Sequence, residues 1–276
     1  MRIARRAFTL GLATALAGPR ARADSLADDA LDLRTLHLEH EVLLALPPAP
    51  APAGRLVVLL HGLAETSDEH TGARAWVDRY GLAASVRRLR QAPLAPISSR
   101  DDWGGALATT NLALAARPYR ELGFACPYVP RMPTGKLAAY TQWIEETLIP
   151  RVRAEAGERL DATPARIGGC SYGGWVSLEV FLRAGHAFSG WAGVQTAIAR
   201  GSVTAYADRL ARATAGRPLL LETSARDPFQ EASAALADAL HARNVACDFV
   251  VLPGPHDQPW LRESGTPSAL AWLDRA

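Results

Sequence analysis

The sequence predicts an α/β fold built on a mostly parallel, doubly wound sheet with helices on both faces. Three observations carry that reading. Short apolar runs at 56–60 and 218–221 have the length of strands buried on both faces, and further strands read at 188–194 and, alternating, at 246–252. Stretches with apolar residues at helical spacing separate most of these runs, and alternation of strand and helix calls for parallel crossovers. Between one apolar run and one helical run lies Gly169-Cys170-Ser171-Tyr172-Gly173, which fits a sharp strand-to-helix turn that presents a serine.

Taken in order, residues 1–23 stand apart. Arg5-Arg6-Ala7-Phe8 leads into a short apolar stretch at 9–17, and Ala21-Arg22-Ala23 offers a small-residue cleavage site. The paired arginines predict a twin-arginine-like export signal, hence a periplasmic or extracellular protein of a bacterium. That stretch is too short to span a bilayer comfortably, so no stable membrane insertion of the mature chain is expected. Residues 24–276, with 49% hydrophobic and 21% charged residues overall, read as one globular domain.

Within that domain, alternation at 35–44 predicts a strand, followed by a proline-alanine connector at 47–54. The run 56–60 ends in His61-Gly62 and precedes a helix at 73–80. Residues 82–122 are punctuated by Pro93, Pro96, Gly104, Gly105 and Pro118 and read as an insertion or cap. A strand at 123–129, a helix at 136–156 and the serine turn follow. Helices are then expected at 175–184, 204–213, 229–243 and 268–275, interleaved with the last three apolar strands.

Charge excludes one class of partner. The whole chain carries 30 basic and 28 acidic side chains, but five arginines lie in residues 1–23 with no acids. The remainder has 25 basic against 28 acidic groups, about −3, with no basic surface to suit nucleic acid. Three cysteines are too few for a disulfide framework, and Cys126 and Cys247 lie in apolar runs where packing accounts for them. Cys170 precedes the turn position and would point into the core, so it is not expected to be the nucleophile.

A serine hydroxyl needs a base, and histidine is the side chain whose proton affinity suits that task. Of seven histidines, His256 sits in a Gly-Pro loop directly after the last expected strand, at the sheet edge where Ser171 also lies. A third group must orient the imidazole, which calls for a carboxylate after another strand. Asp227 follows the run at 218–221 by a turn; Glu222 still belongs to that strand, and Asp257 is the base's own neighbour. Backbone N–H groups of Tyr172, after the nucleophile, and Leu63, after His61-Gly62, are the expected oxyanion donors.

The chain order Ser171, Asp227, His256 and the pieces Leu56-Val-Val-Leu-Leu-His-Gly-Leu63, Gly169 to Gly174 and Gly254-Pro-His256 resemble the signatures of the α/β-hydrolase superfamily. Within it, Ser171-Tyr-Gly-Gly-Trp175 and Pro253-Gly-Pro-His-Asp-Gln-Pro-Trp260 are similar to the bacterial esterase group related to esterase D, feruloyl esterases and polyhydroxybutyrate depolymerases. The resemblance implies a single catalytic domain that hydrolyses small-molecule or polymer-attached carboxylic esters through an acyl-enzyme, with no metal or organic cofactor. Acyl transfer, or peptide or lactone cleavage, would use the same residues. A non-catalytic binding protein on the same fold is the alternative of another class.

Other conspicuous residues have plainer explanations. Alternation on a strand would put His37 and Glu39 on one face and His40 on the other, which disfavours a metal site. Most of the seven tryptophans, including Trp143 and Trp272 at helical apolar positions, are better explained as core or interface packing, with stacking on a sugar the lesser alternative for Trp103 or Trp260.

Overall fold

A computed structural model describes residues 30–51, 54–99, 103–214 and 216–276; the expected export signal at 1–23 lies outside them. Eight strands form one sheet in the order β1-β2-β4-β3-β5-β6-β7-β8. They are β1 (Asp32–His37), β2 (Glu41–Leu46), β3 (Arg55–Leu60), β4 (Leu122–Pro127), β5 (Ala165–Cys170), β6 (Phe188–Val194), β7 (Leu219–Arg226) and β8 (Asp248–Pro255). β1 pairs antiparallel with β2 and β2 with β4; every pairing from β4 through β8 is parallel. This is the α/β-hydrolase fold that the sequence predicts.

Both faces of the sheet are covered, which is why its central strands read as unbroken apolar runs. On β3, Leu56, Val58 and Leu60 enter one core and Val57 and Leu59 the other. The first core is closed by α4 (Leu137–Trp143), α5 (Ile149–Ala156), α6 (Tyr172–Arg183), α7 (Val203–Ala213) and α8 (Gln230–His241). The second is closed by α1 (Glu69–Asp78), α2 (Leu82–Arg90), α3 (Trp103–Ala116) and α10 (Thr266–Arg275), with the short α9 (Gln258–Trp260) leading into the last.

Three expectations change in detail. The strand expected at 35–44 is a hairpin: β1 and β2 fold back on each other with His37 paired to Glu41, so residues 38–40 form the turn. Only His40 interrupts the alternation at that turn, and no glycine or proline marks it. The face assignment of His37, Glu39 and His40 falls with the single strand; Glu41 instead accepts a 2.7 Å hydrogen bond from His70 Nδ1. No group of three or more His, Cys, Asp or Glu among the described residues is arranged to hold a metal ion.

The insertion expected at 82–122 contributes two helices, α2 and α3. α2 buries Leu82, Ala83, Val86 and Leu89, and α3 buries Trp103, Ala106, Leu107 and Leu114, all in the second core. The helix expected at 136–156 is continuous but passes through a π-turn at Ile144–Leu148 between α4 and α5. Pro150 lacks the N–H that a regular α-helix requires there, and such a turn absorbs the fault without breaking the helix.

Backbone meets backbone closely where β3, β5 and α6 come together. A Cβ on Gly173 would lie 2.3 Å from the carbonyl oxygens of both Leu60 and His61, and one on Gly169 would lie 2.5 Å from the Gly173 oxygen. The two outer glycines of the serine turn are thus required by backbone against backbone, where no side chain can move aside. Gly173→Ala is expected to cost about 3 kcal/mol, lowering the melting temperature by roughly 6–12 °C. Thermal denaturation followed by circular dichroism checks this; an unchanged melting temperature would contradict the close approach.

Candidate active site

The carboxyl ends of β3, β5, β6 and β8 open onto one cavity of about 420 Å³. Its walls come from the Gly62–Glu65 segment after β3, from Ser171 after β5, from Gln195 after β6, and from His256 to Gln258 after β8. Ser171 sits at φ 53° and ψ −116°, backbone that a side-chain-bearing residue adopts only when its surroundings impose it. Those surroundings are its N–H donating to Val194 O at 2.9 Å and its carbonyl accepting from Ala197 and Trp175 amides at 3.0 and 3.1 Å. The turn is thereby pinned to β6 on one side and to α6 on the other.

His256 and Asp227 meet directly, with Nδ1 to Oδ1 at 2.9 Å. A carboxylate oxygen only accepts, so Nδ1 carries the proton and Nε2 is left with its lone pair. Asp227 is itself held by two donors, the Thr223 hydroxyl at 2.5 Å and the Phe229 amide at 3.0 Å, and its side chain is fully shielded from solvent. Gln195, also at positive φ (48°), reaches across the sheet edge: its Nε2 donates to Ser224 Oγ at 2.7 Å and to Pro255 O at 3.0 Å. It ties the end of β7 to the residue preceding His256.

Glu222, the rival carboxylate of the sequence, lies five residues before Asp227, inside β7, and is buried at 1% exposure. Burial pushes its pKa up to about 8, against a smaller opposing effect of Ser268, so it is protonated at neutral pH and cannot offset an imidazolium. Asp257 points to another task, accepting from the Trp260 amide at 2.9 Å to cap α9. Cys170 is buried beside the cavity, and its thiol is pushed up to about 12, mainly by burial, which keeps it protonated and inert.

Leu63 and Tyr172 each occupy the first position of a helical turn, Leu63–Glu65 and α6, where amides have no carbonyl of their own helix to pair with. Leu63 is oriented by His61. That imidazole is fully buried, accepts the Val129 amide at Nε2 (2.8 Å) and donates from Nδ1 to Gly62 O (2.9 Å). A planar trans peptide points its C=O and N–H in opposite directions, so holding Gly62 C=O aims Leu63 N–H. Desolvation holds the His61 pKa below the usual imidazole value, which preserves this neutral tautomer.

Behind the serine, α6 is clamped to α7. Glu179 is buried, receives both guanidinium arms of Arg209 at 2.7 and 3.0 Å and the Tyr206 hydroxyl at 2.7 Å, and pairs with Arg183. Trp175 donates to the Tyr206 hydroxyl at 2.8 Å, closing the network one turn from Ser171. Trp143 and Trp272 are core residues as expected, each 7% exposed. Trp103 and Trp260 are buried as well, bonded to Ser98 Oγ and Pro253 O, so neither can stack on a sugar.

Ser171, Asp227, His256, Leu63 and Tyr172 therefore all stand at this one end of the sheet. Sequence reasoning passed over Thr223, Gln195, Glu65, Tyr80 and Gln258. Thr223, Gln195 and Gln258 follow from position, lying at or just past the carboxyl ends of expected strands; nothing in the sequence pairs Glu65 with Tyr80.

No protein-family model matches the sequence, and no curated protein sequence matches it. Solved structures do resemble the fold. A ferulic acid esterase superposes with a TM-score of 0.63 at 16% identity, covering 89% of this chain and 97% of that one. A fluorophosphonate-binding serine hydrolase of Staphylococcus aureus gives 0.59 at 15% identity, covering 90% and 99%. The enterobactin esterase of Shigella flexneri gives 0.58 at 16% identity, covering 88% of this chain and 58% of that one.

The raised pKa of Glu222 makes stability depend on pH in a defined direction. Its folded form holds a proton up to about 8 where the unfolded carboxyl releases it near 4.5, so its contribution is full below 4.5 and disappears as pH rises through 8. Glu222→Gln, which cannot ionise, should gain in melting temperature relative to the native chain between pH 5 and pH 9. Paired thermal melts at the two values check this; parallel pH profiles would contradict it.

Proposed function

We propose that this chain is a serine esterase that hydrolyses carboxylic esters through an acyl-enzyme on Ser171. One observation carries the reading: a histidine whose proton-bearing nitrogen is held by a buried aspartate lines the same cavity as a serine on a strained strand-to-helix turn. In this account the Ser171 hydroxyl oxygen attacks the ester carbonyl carbon while His256 Nε2 takes its proton. Asp227 fixes the imidazole tautomer and offsets the imidazolium charge. The Leu63 and Tyr172 amides receive the developing oxyanion at the positive end of α6.

Collapse of the tetrahedral intermediate breaks the bond to the leaving oxygen, which takes the proton from His256. Water then repeats the sequence with His256 as base and releases the acid and free Ser171. The esterases and the serine hydrolase that share the fold favour this chemistry over a non-catalytic role. A cavity of about 420 Å³ suits a small ester, or the end of a polymer-attached one, as substrate. We further propose, from the paired arginines and cleavage site at 5–23, that the enzyme is exported and works as a single catalytic domain outside the bacterial cytoplasm.

Ser171→Ala should lower kcat for p-nitrophenyl acetate or butyrate by about 10⁴- to 10⁶-fold while leaving the melting temperature in place. Retention of more than a tenth of native turnover would rule Ser171 out as nucleophile. His256→Ala should lower kcat for the same ester by a comparable factor, since without the imidazole nothing takes the serine proton. Retention of more than a tenth of native turnover in that variant would count against His256 as the base.

A further inference from the structure

Glu65 has no part in the chemistry above, yet it is placed where a carboxylate is costly. It is 1% exposed and forms part of the cavity wall, two residues beyond Leu63. Three hydrogen bonds define it. Tyr80 donates its hydroxyl to Oε2 at 2.5 Å, and that same hydroxyl accepts the Gly62 amide at 3.1 Å. Arg79 donates to Oε1 at 3.1 Å, and Gln258 Nε2 donates to the same oxygen at 3.3 Å.

A tyrosine hydroxyl has one proton, so donating to Glu65 leaves its lone pairs to receive Gly62 N–H, and the acceptor is thereby aimed. Desolvation raises the Tyr80 pKa far above its usual value, which keeps the hydroxyl protonated in this relay. Gly62 then has its N–H held by Tyr80 and its C=O by His61, on opposite sides. Together they fix both peptide planes that precede Leu63. Gln258 lies two residues beyond His256, so the other arm of Glu65 reaches the loop that carries the base.

An ion pair with Arg79 alone would not account for the site, because burying a carboxylate rarely stabilises a fold more than apolar packing in its place. We propose that Glu65 is a positioning residue that clasps the oxyanion-side loop after β3 to the base-carrying loop after β8, acting through Tyr80 on Gly62-Leu63 and through Gln258 on His256. The inference rests on the esterase reading. It assigns Glu65 and Tyr80 to the reaction without contact with the reacting atoms, and it makes the two halves of the site one mechanical unit.

The test uses the full chain with Tyr80→Phe, Glu65→Gln, the double variant and Gln258→Ala, assayed with a p-nitrophenyl ester and with an aryl trifluoromethyl ketone. The ketone adds Ser171 Oγ to its carbonyl carbon and leaves an oxyanion in the place of the transition-state one, so its Ki reads the Leu63 and Tyr172 donors. Tyr80→Phe should lower kcat by about 10- to 100-fold with KM nearly unchanged, and raise the ketone Ki by a similar factor. Glu65→Gln should act in the same direction, and the double variant should lose less than the product of the two single losses.

Gln258→Ala removes only the arm toward the base and should lower kcat several-fold; it keeps the claim testable should a variant at the buried positions fail to fold. Unchanged kcat and Ki in the folded variants, or a kcat loss without a matching rise in Ki for Tyr80→Phe, would overturn the clasp while leaving the esterase intact. A native chain that neither turns over esters nor binds the ketone would overturn the esterase reading, and the clasp with it.

Discussion

The contact between Gly173 and the carbonyls of Leu60 and His61 is the constraint on which the rest of the site depends. With a Cβ position only 2.3 Å from two backbone oxygens, the start of α6 rests on the end of β3 with no side chain between them. That contact brings three things to one point: the strained Ser171 turn, the first amide of α6, and the loop that begins at His61. Remove it and Ser171 and the Leu63 amide no longer share a wall. The strain at Ser171 is sustained because β6, through Val194 O, and the Glu179-Arg209-Tyr206 clamp behind α6 hold the turn from both sides.

Environment, more than residue type, divides the roles here. His61 and His256 are both imidazoles at strand ends, but His61 is fully enclosed with both nitrogens bonded to backbone, and it serves as a strut. His256 is partly open and lines the cavity, with one nitrogen committed to Asp227. Glu222 and Asp227 divide similarly. Five residues apart on one strand and its following turn, one is desolvated toward neutrality and the other is given two donors and a histidine.

Much of this was legible in the sequence, for physical reasons that differ by element. Parallel strands buried on both faces betray themselves as apolar runs, so β3, β6 and β7 are legible, the edge strand β8 shows as alternation, and the short-range geometry of the serine turn is written in its glycines. Position relative to strand ends then sufficed to rank Asp227 over Glu222. The β1-β2 hairpin is not legible because its turn uses neither glycine nor proline and only His40 interrupts the alternation. For Trp103 and Trp260 the sequence leaves stacking open beside packing, because a tryptophan in a loop-rich stretch looks the same whether it closes a core or a surface. The link from Glu65 to Tyr80 and Gln258 spans 15 and 193 residues of chain and leaves no local pattern, so only the fold reveals it.

The central claim is that Ser171 becomes covalently acylated. Mixing the protein with a slowly deacylating p-nitrophenyl ester, quenching in acid within the first turnover and mapping the digest by mass spectrometry tests it most directly. The account predicts a burst of nitrophenol of about one equivalent and one acyl group on the peptide that contains Ser171, absent in Ser171→Ala. Steady turnover without a burst or an adduct on that peptide, or an acyl group found on Cys170 or His256 instead, would contradict it.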